Sequence, residues 1–551
     1  MADIAAHRHM WLLVCIVSMA SIADIPATPL VAMSMWMAWI YVICVGTAKG
    51  TAIYWLLRLC ARRRWTAVAG WCLFGLFALL TAVSLICYGL YGFGLTRRLI
   101  MVILQTNRAE VSGFMPSLWD NLRYTLLSWP FLTCLAALAA ACIGIGRMSR
   151  RTLGCVAAGV TTAGILLFGA FCIRYNVSRS GHMMILRAAI FGSDAYRSMC
   201  QYEDGKNSLP TLPQPDTAVS RHLAETVVVV IGESASRDHL SLYGYPLPTT
   251  PRADSMAREL FVFTDAIGSS AATIGNMDRI LSLKPDDTTE GDALNYPRLI
   301  DIMGHAGYRT WWLSNQERGG IVPSTAALLA SDADVTAYVS GEAIETLTWQ
   351  HDRALLPELT AALADTARYK LVFMHLIGSH APARLRYPAD EGVFTAADEL
   401  RLPGRPWLTG HEEAAREVAE YDNSIRYTDR LLADTQMLLT RSGAPVLMIY
   451  FADHGEHIHD ERLFSGRDIM YVRVPLIVWA NEAWLRANPD RADALRAALQ
   501  RPMSTANFAH MLMNLTGTSY AGYDSSLDVL SPDYIVRPRY VDESIWPGDK
   551  R

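Results

Sequence analysis

The sequence predicts an N-terminal α-helical transmembrane bundle of five spans, followed by an α/β domain with a doubly wound sheet. Of the 551 residues, 51% are hydrophobic and only 19% are charged, and the mean hydropathy is +0.16, a balance unusual for a soluble protein. The apolar residues are concentrated in the first third, whereas short apolar runs alternate with helical patterns after residue 220. We therefore expect a membrane domain over 1–175, a bridging segment over 176–220 and a soluble domain over 221–551.

Five apolar stretches in the first third approach the ~20 residues that an α-helix needs to cross a bilayer. They fall at 10–30, 33–59, 66–91, 122–146 and 152–173. Asp24 and two prolines interrupt the first stretch, for which a cleaved signal peptide is the alternative. Asp3 in a short, weakly basic leader and the spans that follow favour a membrane anchor.

Arginine clusters predict how the chain crosses the membrane, because basic loops stay on the cytoplasmic side. One cluster lies at 62–64, between the second and third stretches, and another lies at 147–151, between the fourth and fifth. Five spans then place everything after about residue 175 on the outer side. In a Gram-negative cell, this predicts a multi-pass inner-membrane protein with a periplasmic C-terminal domain.

Charge and cysteine content exclude several functions. The net charge of −4 is spread without a basic stripe, so we expect no nucleic-acid partner. All ten cysteines occur at or before Cys200, so the later domain has no disulfide, thiolate ligand or cysteine nucleophile of its own. A metal ion in that domain would need histidine, carboxylate or hydroxyl ligands.

Strand and helix patterns alternate in the soluble part, as in a sheet covered by helices on both faces. We expect strands at 226–231, 260–264, 310–314, 371–376, 446–452 and 475–479, and a helix at 421–432. In open α/β sheets, ligands bind beyond the carboxyl ends of the strands. Residues that follow these strands are therefore candidates for a functional site.

Two predicted strands end in metal-ligand side chains. Glu233 follows the run at 226–231, and Asp453 and His454 follow the run at 446–452. Oxygen and nitrogen ligands of this kind suit zinc, with an open position for a reacting group. Glu233 could equally be the N-cap of a following helix, and an Asp-His-Gly turn can use its side chains for hydrogen bonding alone. A third strand has His375 within it, where a buried structural role is expected, and is followed by His380.

Four segments resemble the phosphoethanolamine transferases of bacterial envelopes, which are membrane members of the alkaline phosphatase and sulfatase superfamily. They are "IGESASRDHLSLYGYPLPTTP", "HLIGSHAP", "YDNSIRYTDRLL" and "FADHGE", in the family's order. The likeness covers essentially the whole chain, and the "LSLYGYP" and "FSGR" blocks are most similar to members that modify the lipopolysaccharide core. The resemblance implies an alkaline-phosphatase/sulfatase-like domain.

The resemblance also implies a set of site residues. In "AIGSSAATIGNMDRIL", Thr273 matches the family's nucleophile, with Ser269 and Ser270 as nearby alternatives. Zinc would be held by four residues: Glu233, Thr273, Asp453 and His454. His380 would hold the phosphoryl group or a second zinc ion.

Other matched positions concern the substrate. "LQTNRAE" resembles the family's donor-binding segment, which implies head-group contacts for Thr106 and Glu110, although Glu110 could be a solvated loop carboxylate. An asparagine of that segment is replaced by Val102. Gly466 stands where the family has a further histidine. His457 and His459 could replace it or be surface residues, and we take His459 as the substrate-binding candidate.

The expected reaction is zinc-dependent transfer of phosphoethanolamine from phosphatidylethanolamine to lipopolysaccharide, on a core sugar or lipid A, through a phosphothreonine-type intermediate. A glycerophosphate transferase of the same superfamily and a catalytically inactive envelope sensor or scaffold are the alternatives. The serine hydrolase motif G-x-S-x-G is not met by "GESAS", because Ser236 stands in place of the second glycine. A sulfatase would need a modifiable Cys or Ser in a C/S-x-P-x-R setting, which we do not find.

Overall fold

The computed structural model describes residues 2–21, 35–91, 144–145, 147–175, 218–288, 293, 296–316, 325–340, 350–403, 405, 408–456, 458, 472–541 and 544–549. The chain divides into two compact units. The described part of the first ends at Tyr175, and that of the second begins at Ala218.

The first unit consists of apolar helices. They are α1 (Ala2–Ala6), α2 (Arg8–Ala20), α3 (Met35–Cys60), α4 (Arg64–Tyr91) and α5 (Arg150–Tyr175). Helices α2 and α5 both pack against α3, where small residues permit close approach. A Cβ added to Gly50 would lie 2.6 Å from the Cα of Cys15. The indole of Trp11 also donates a 3.0 Å hydrogen bond to Thr51.

Three described helices are long and apolar enough to cross a bilayer: Trp39–Cys60, Arg64–Val83 and Arg150–Ala170. They coincide with the predicted spans at 33–59, 66–91 and 152–173. The predicted first span, at 10–30, overlaps α2, which at 13 residues is shorter than a spanning helix. Residues 22–30 of that stretch and nearly all of the predicted span at 122–146 lie outside the described residues. A total of five spans therefore stays a prediction.

The second unit is built on a seven-stranded mixed sheet. Its strands are β1 (Thr226–Gly232), β2 (Leu260–Val262), β3 (Arg309–Ser314), β4 (Val335–Tyr338), β5 (Lys370–His375), β6 (Val446–Ala452) and β7 (Leu476–Ala480). The spatial order is β2-β7-β6-β1-β5-β3-β4. Strand β7 runs antiparallel to both neighbours, and the other pairs are parallel. All six predicted strands are present, and β4 is additional.

Helices surround this sheet. They are α6 (Pro251–Ser255), α7 (Thr273–Ile280), α8 (Leu299–His305), α9 (Thr325–Ala330), α10 (Leu355–Ala364), α11 (Ala396–Arg401), α12 (Glu412–Leu439), α13 (Glu482–Ala487), α14 (Pro489–Ala498) and α15 (Phe508–Thr516). Short two-residue strand pairs join Val219–Ser220 to Thr518–Ser519, Ala266–Ile267 to Met503–Ser504, and Tyr540–Val541 to Ser544–Ile545.

Both faces of the sheet are covered, as predicted for a doubly wound arrangement. Successive residues of a strand point to opposite faces. Tyr450 of β6 belongs to the core cluster that includes Leu359 of α10 and Leu431 of α12. The next residue, Phe451, packs instead against Phe508 of α15, with ring centroids 4.6 Å apart. The carboxyl ends of β1, β3, β5 and β6 consequently share one edge of a sheet buried on both sides.

Candidate metal centre

Glu233 and Asp453 follow two adjacent parallel strands at the same level. Gly232 of β1 pairs with Ala452 of β6, so the next residue on each strand leaves the sheet beside the other. Every residue of both strands is buried, which fixes this register because a slip would misplace a whole apolar face. The side chains of Glu233 and Asp453 are themselves 1% and 0% exposed.

His454 completes a compact group with these two carboxylates. One ligand atom from each of the three residues lies within 4.8 Å of the others. The Nε2 atom of His454 is 3.3 Å from Glu233 Oε1 and 3.5 Å from Asp453 Oδ2. The structure thus brings Glu233 together with two adjacent residues that lie at least 220 positions further along the sequence.

Hydrogen bonds to the backbone orient these ligand atoms. His454 Nδ1 lies 2.6 Å from the carbonyl oxygen of Gly455, so the Nδ1–H donates there and Nε2 is the ring atom directed at the site. The Oδ1 atom of Asp453 accepts from the amides of Ser234 and His454, at 3.2 and 2.7 Å. Among the described residues, Asp453 Oδ2 has no hydrogen-bond partner and is buried, which is costly unless a cation or proton satisfies it.

Thr273 brings a hydroxyl to the same group. It is the first residue of α7, and its Oγ1 donates a 3.0 Å hydrogen bond to Glu233 Oε2. The same oxygen lies 3.3 Å from His454 Nε2. Thr273, which is partly exposed, therefore contacts two of the other three residues proposed as zinc ligands. A helix start also presents free amide groups, which suit an anionic ligand.

The serines near Thr273 have a different environment. Ser269 and Ser270 are buried in the turn that precedes α7. Asn276 holds this turn: its Oδ1 accepts from the Ser270 amide at 3.0 Å and from the Ser269 hydroxyl at 3.3 Å. Its Nδ2 donates to the carbonyls of Ser270 and Ala272. Of the three hydroxyls, that of Thr273 is the one in contact with the Glu233 carboxylate.

The ionisation of the three ligands is strongly coupled. Burial, together with the charge of Glu233, raises the pKa of Asp453 to about 8. Burial acts to raise the pKa of Glu233, but hydrogen bonding to His454 and its charge outweigh it and the pKa falls below its usual value. Burial disfavours the protonated form of His454, but the negative charges of Asp453 and Glu233 hold the pKa of His454 well above its usual value. Because two acidic groups are desolvated side by side here, a divalent cation would relieve their repulsion.

The donor set fits a zinc ion. Two carboxylates, an imidazole whose Nε2 faces them and a hydroxyl supply oxygen and nitrogen atoms, which zinc accepts in four-coordinate sites. Asp453 Oδ2, which accepts no hydrogen bond from the described residues, is the specific atom that a cation would satisfy. Among the described residues, the group that could hold one ion comprises Glu233, Asp453 and His454 and does not include His380.

The two histidines associated with β5 occupy different settings. His380 is partly exposed, and its Nδ1 lies 2.9 Å from the carbonyl of Ala381, which leaves Nε2 for a substrate or ion. His375 is 3% exposed and 3.3 Å from the Ser314 hydroxyl. Burial lowers the pKa of His375 to about 4, in keeping with the structural role expected for it.

Several predicted substrate residues lie outside the described residues. They are Thr106, Glu110, His457 and His459, together with Val102 and Gly466. Their proposed roles stay predictions.

Gln316 is a site residue that the sequence did not indicate. Its side-chain amide donates to Glu233 Oε2 at 3.1 Å and to the carbonyl of Leu376 at 2.7 Å. Gln316 follows β3, whose carboxyl end lies at the same edge of the sheet as Glu233. The only available signal was this position after a predicted strand, because a glutamine carries no ionisable or metal-binding chemistry that would distinguish it.

The domain combines a mixed sheet covered by helices with three potential metal ligands at the strand ends and a hydroxyl at a helix start. These features, taken with the family comparison, define the class of protein to which the domain belongs. The chain belongs to the sulfatase family, since the family model described as "Sulfatase" matches residues 225–518, more than half of its length.

Named relatives narrow the resemblance. The phosphoethanolamine transferase EptC of Escherichia coli strain RS218 is 28% identical over 361 residues, which are 62% of this chain and 61% of that protein. The chain thus spans about three fifths of that relative's length. The phosphoethanolamine transferase CptA of Salmonella typhimurium strain LT2 is 26% identical over 494 residues, covering 82% of this chain and 81% of the relative. The resemblance to phosphoethanolamine transferases is confirmed.

Two solved structures show the same fold. The zinc complex of the C-terminal periplasmic domain of EptC from Escherichia coli has a TM-score of 0.54 and 27% identity, covering 60% of this chain and 93% of that chain. The integral membrane protein EptA from Neisseria meningitidis has a TM-score of 0.66 and 17% identity, covering 95% of this chain and 98% of that chain. The second likeness concerns fold alone and extends over the N-terminal helices as well.

Proposed function

We propose that this protein transfers phosphoethanolamine from phosphatidylethanolamine to lipopolysaccharide through a covalent intermediate on Thr273. The observation that carries the proposal is the position of the Thr273 hydroxyl, 3.0 Å from Glu233 Oε2 and 3.3 Å from His454 Nε2. A threonine hydroxyl is a poor nucleophile until a base or metal activates it, and both ligands are next to it. We infer that the transferred group is phosphoethanolamine because the relatives are named phosphoethanolamine transferases.

Four residues would hold a catalytic zinc ion: Glu233, Thr273, Asp453 and His454. The ion would supply Lewis acidity that lowers the pKa of the threonine hydroxyl and offsets negative charge on phosphoryl oxygens. His380 is partly exposed, and its Nδ1 is the ring atom that contacts the Ala381 carbonyl. Its Nε2 would hold the phosphoryl group or a second zinc ion.

The proposed reaction consists of two successive displacements at phosphorus. In the first, Thr273 Oγ1 forms a bond to phosphorus while its proton is directed at Glu233 Oε2, and the bond from phosphorus to the diacylglycerol oxygen breaks. Diacylglycerol leaves with a proton. In the second, an oxygen of a hydroxyl or phosphate group of lipopolysaccharide forms a bond to phosphorus while the bond from phosphorus to Thr273 Oγ1 breaks. The proton given up by the acceptor group goes to Oγ1 and restores the Thr273 hydroxyl.

The membrane unit is part of the proposal because donor and acceptor are both lipids of a bilayer. We propose that residues 1–175 form five spans in the inner membrane, that 176–220 bridge the two units, and that 221–551 form the catalytic domain in the periplasm. Thr106 and Glu110 would contact the donor head group. His459, in the catalytic domain, would also bind the substrate. The acceptor is a core sugar or lipid A, with the resemblance favouring the core.

The test is detection of the covalent intermediate. Purified full-length protein in detergent is incubated with phosphatidylethanolamine carrying isotope-labelled ethanolamine, and its peptides are mapped by mass spectrometry. Labelled phosphoethanolamine is expected on Thr273 and is expected to be absent from Thr273→Ala. The matched control is Thr440→Ala, at an exposed threonine following α12. Label on another residue, or glycerophosphate in place of phosphoethanolamine, would contradict the proposal.

A further inference from the structure

Ser234, the residue after Glu233, has an uncommon backbone conformation. Its φ is +57°, in the left-handed region that residues other than glycine rarely adopt. It is also buried, at 1% exposed. Such a conformation persists only where surrounding contacts hold it, so the contacts of Ser234 decide what the conformation achieves.

In this conformation, Ser234 contacts both carboxylates of the metal centre. Its amide donates a 3.2 Å hydrogen bond to Asp453 Oδ1, and its hydroxyl donates a 2.7 Å hydrogen bond to Glu233 Oε1. One residue therefore orients two ligands that lie 220 positions apart. Rotation of the Ser234 backbone toward the usual negative φ would move its amide and hydroxyl and disturb both carboxylates.

Tyr421 of α12 holds the Ser234 backbone from the other side. Its hydroxyl donates to the carbonyl of Ser234 at 2.7 Å and accepts from the amide of Ser236 at 2.9 Å. A tyrosine hydroxyl has one proton to donate, and here it is directed at the strained peptide. The side chain is fully buried, and its ring meets the ring of His239 edge to face, with centroids 4.9 Å apart.

His239 and Asp422 fix the orientation of the tyrosine. His239 Nδ1 lies 2.6 Å from Asp422 Oδ1, and both side chains are buried. Because Asp422 follows Tyr421 on α12, this contact anchors the helix to the segment that begins with Glu233. The hydroxyl of Tyr421 is therefore held at the loop by packing that does not depend on the hydroxyl itself.

We infer that Ser234 and Tyr421 form a positioning pair that keeps Glu233 and Asp453 at the spacing a metal ion needs. The inference rests on the proposed zinc site and assigns it two residues beyond its ligands. Both side chains are buried, and their hydrogen bonds go to the ligands or to the backbone beside them. Partners that orient metal ligands typically contribute to metal affinity without contacting the metal, and the strained Ser234 peptide is the means by which Tyr421 reaches the ligands.

The experiment measures zinc affinity of the full-length protein in detergent by competition with a chelator. Tyr421→Phe removes the hydroxyl but keeps the ring and its contact with His239. We expect its zinc dissociation constant to rise by about 10–100-fold. The matched control is Tyr427→Phe, the same change at a buried tyrosine of the same helix, for which we expect the wild-type constant.

A second variant tests whether Tyr421 acts through Ser234. Ser234→Ala, which removes the hydroxyl that donates to Glu233 Oε1, should also weaken zinc binding. The double variant should lose less than the product of the two single losses, since Tyr421 acts by positioning the residue that carries this hydroxyl. Losses that multiply would overturn the action through Ser234. If Tyr421→Phe cannot be recovered folded, Ser234→Ala decides the matter alone, and wild-type affinity in it would overturn the inference.

The remaining outcomes separate the inference from the proposed function. If Tyr421→Phe lowers the melting temperature but binds zinc as wild type does, its role is structural and the inference is wrong, while the zinc site stands. If the wild-type protein binds no zinc, the proposed metal site and the inference both fail.

Discussion

The Thr273 hydroxyl donates a 3.0 Å hydrogen bond to Glu233 Oε2, across 40 residues of sequence. Glu233 lies at the end of a buried strand, whereas Thr273 begins a helix. The contact therefore joins the two kinds of position at which α/β domains commonly bind ligands, the carboxyl end of a strand and the amino end of a helix. It makes the hydroxyl and the carboxylate parts of one site, and their roles can be tested separately.

Asp453→Asn separates metal binding from folding. Asparagine keeps an oxygen for the amides of Ser234 and His454. It replaces Oδ2, which accepts no hydrogen bond from the described residues, by an amide group. We expect a nearly unchanged melting temperature without metal and loss of the stabilisation that zinc gives the wild type, about 2.7 kcal/mol at a free concentration 100 times the dissociation constant. Thermal unfolding with and without zinc is the measurement. Asp390→Asn, at an exposed position, is the control, and a full zinc shift in Asp453→Asn would refute its role as a ligand.

Thr273→Val tests the hydroxyl with little change in shape. The variant keeps the three remaining ligands but has no oxygen to attack phosphorus. We expect transfer to fall by at least about 10³-fold, with zinc still bound. Thr273→Ser, which restores the hydroxyl, should recover a substantial part of the activity. The rates come from mass spectrometry of the phosphoethanolamine product, and an active valine variant would place the nucleophile elsewhere.

The sequence predicts the strand ends well because their physical signal is local. A run such as 226–231 of β-branched and aliphatic residues indicates a strand buried on both faces, and parallel strands deliver Glu233, Asp453 and His454 to one edge. The direction of a strand relative to its neighbours is harder to predict from the sequence. The apolar run of β7 resembles that of a parallel strand although it pairs antiparallel with β6, since burial on both faces does not depend on direction. Strand β4 was missed because its four residues are partly or fully exposed.

Residues that support the ligands could not be predicted in the same way. Tyr421 contacts Ser234 and Ser236 across more than 180 positions, and its place on an apolar helical face predicts core packing equally well. Gln316 and Asn276 carry ordinary amide side chains whose partners are fixed only by the tertiary fold. The ligands have distinctive chemistry, whereas their supports are recognised by geometry.

Asn276→Ala tests the turn that precedes Thr273. The fully buried side chain makes four hydrogen bonds to residues 269–272, and its removal leaves buried polar groups unpaired at a cost of about 1–3 kcal/mol. We expect a lower melting temperature and slower transfer, because the start of α7 is no longer fixed. Zinc content should be retained, since Glu233, Asp453 and His454 are not in this turn. Wild-type turnover by the folded variant would show that the turn does not position Thr273.

The acid stability of the domain can be tested at His510 of α15, a residue that is not one of the proposed metal ligands. It is 6% exposed, its Nδ1 accepts a 3.2 Å hydrogen bond from the amide of Asp524, and burial lowers its pKa to about 4, with Asp524 opposing the shift in part. The unfolded chain takes up this proton near pH 6.5, whereas the folded chain does not until about pH 4. The stability associated with neutral His510 is therefore present above pH 6.5 and is lost as the pH falls toward 4.

His510→Asn removes this proton uptake but keeps an acceptor for the Asp524 amide. Between pH 7 and pH 5, the wild type should lose about 2 kcal/mol more unfolding free energy than the variant does, as follows from pKa values of 6.5 and about 4. Urea unfolding of the full-length protein in detergent at the two pH values measures the difference. The control is His411→Asn, at an exposed histidine, which should follow the wild type. An identical loss in His510→Asn would mean that His510 takes up its proton within the folded domain.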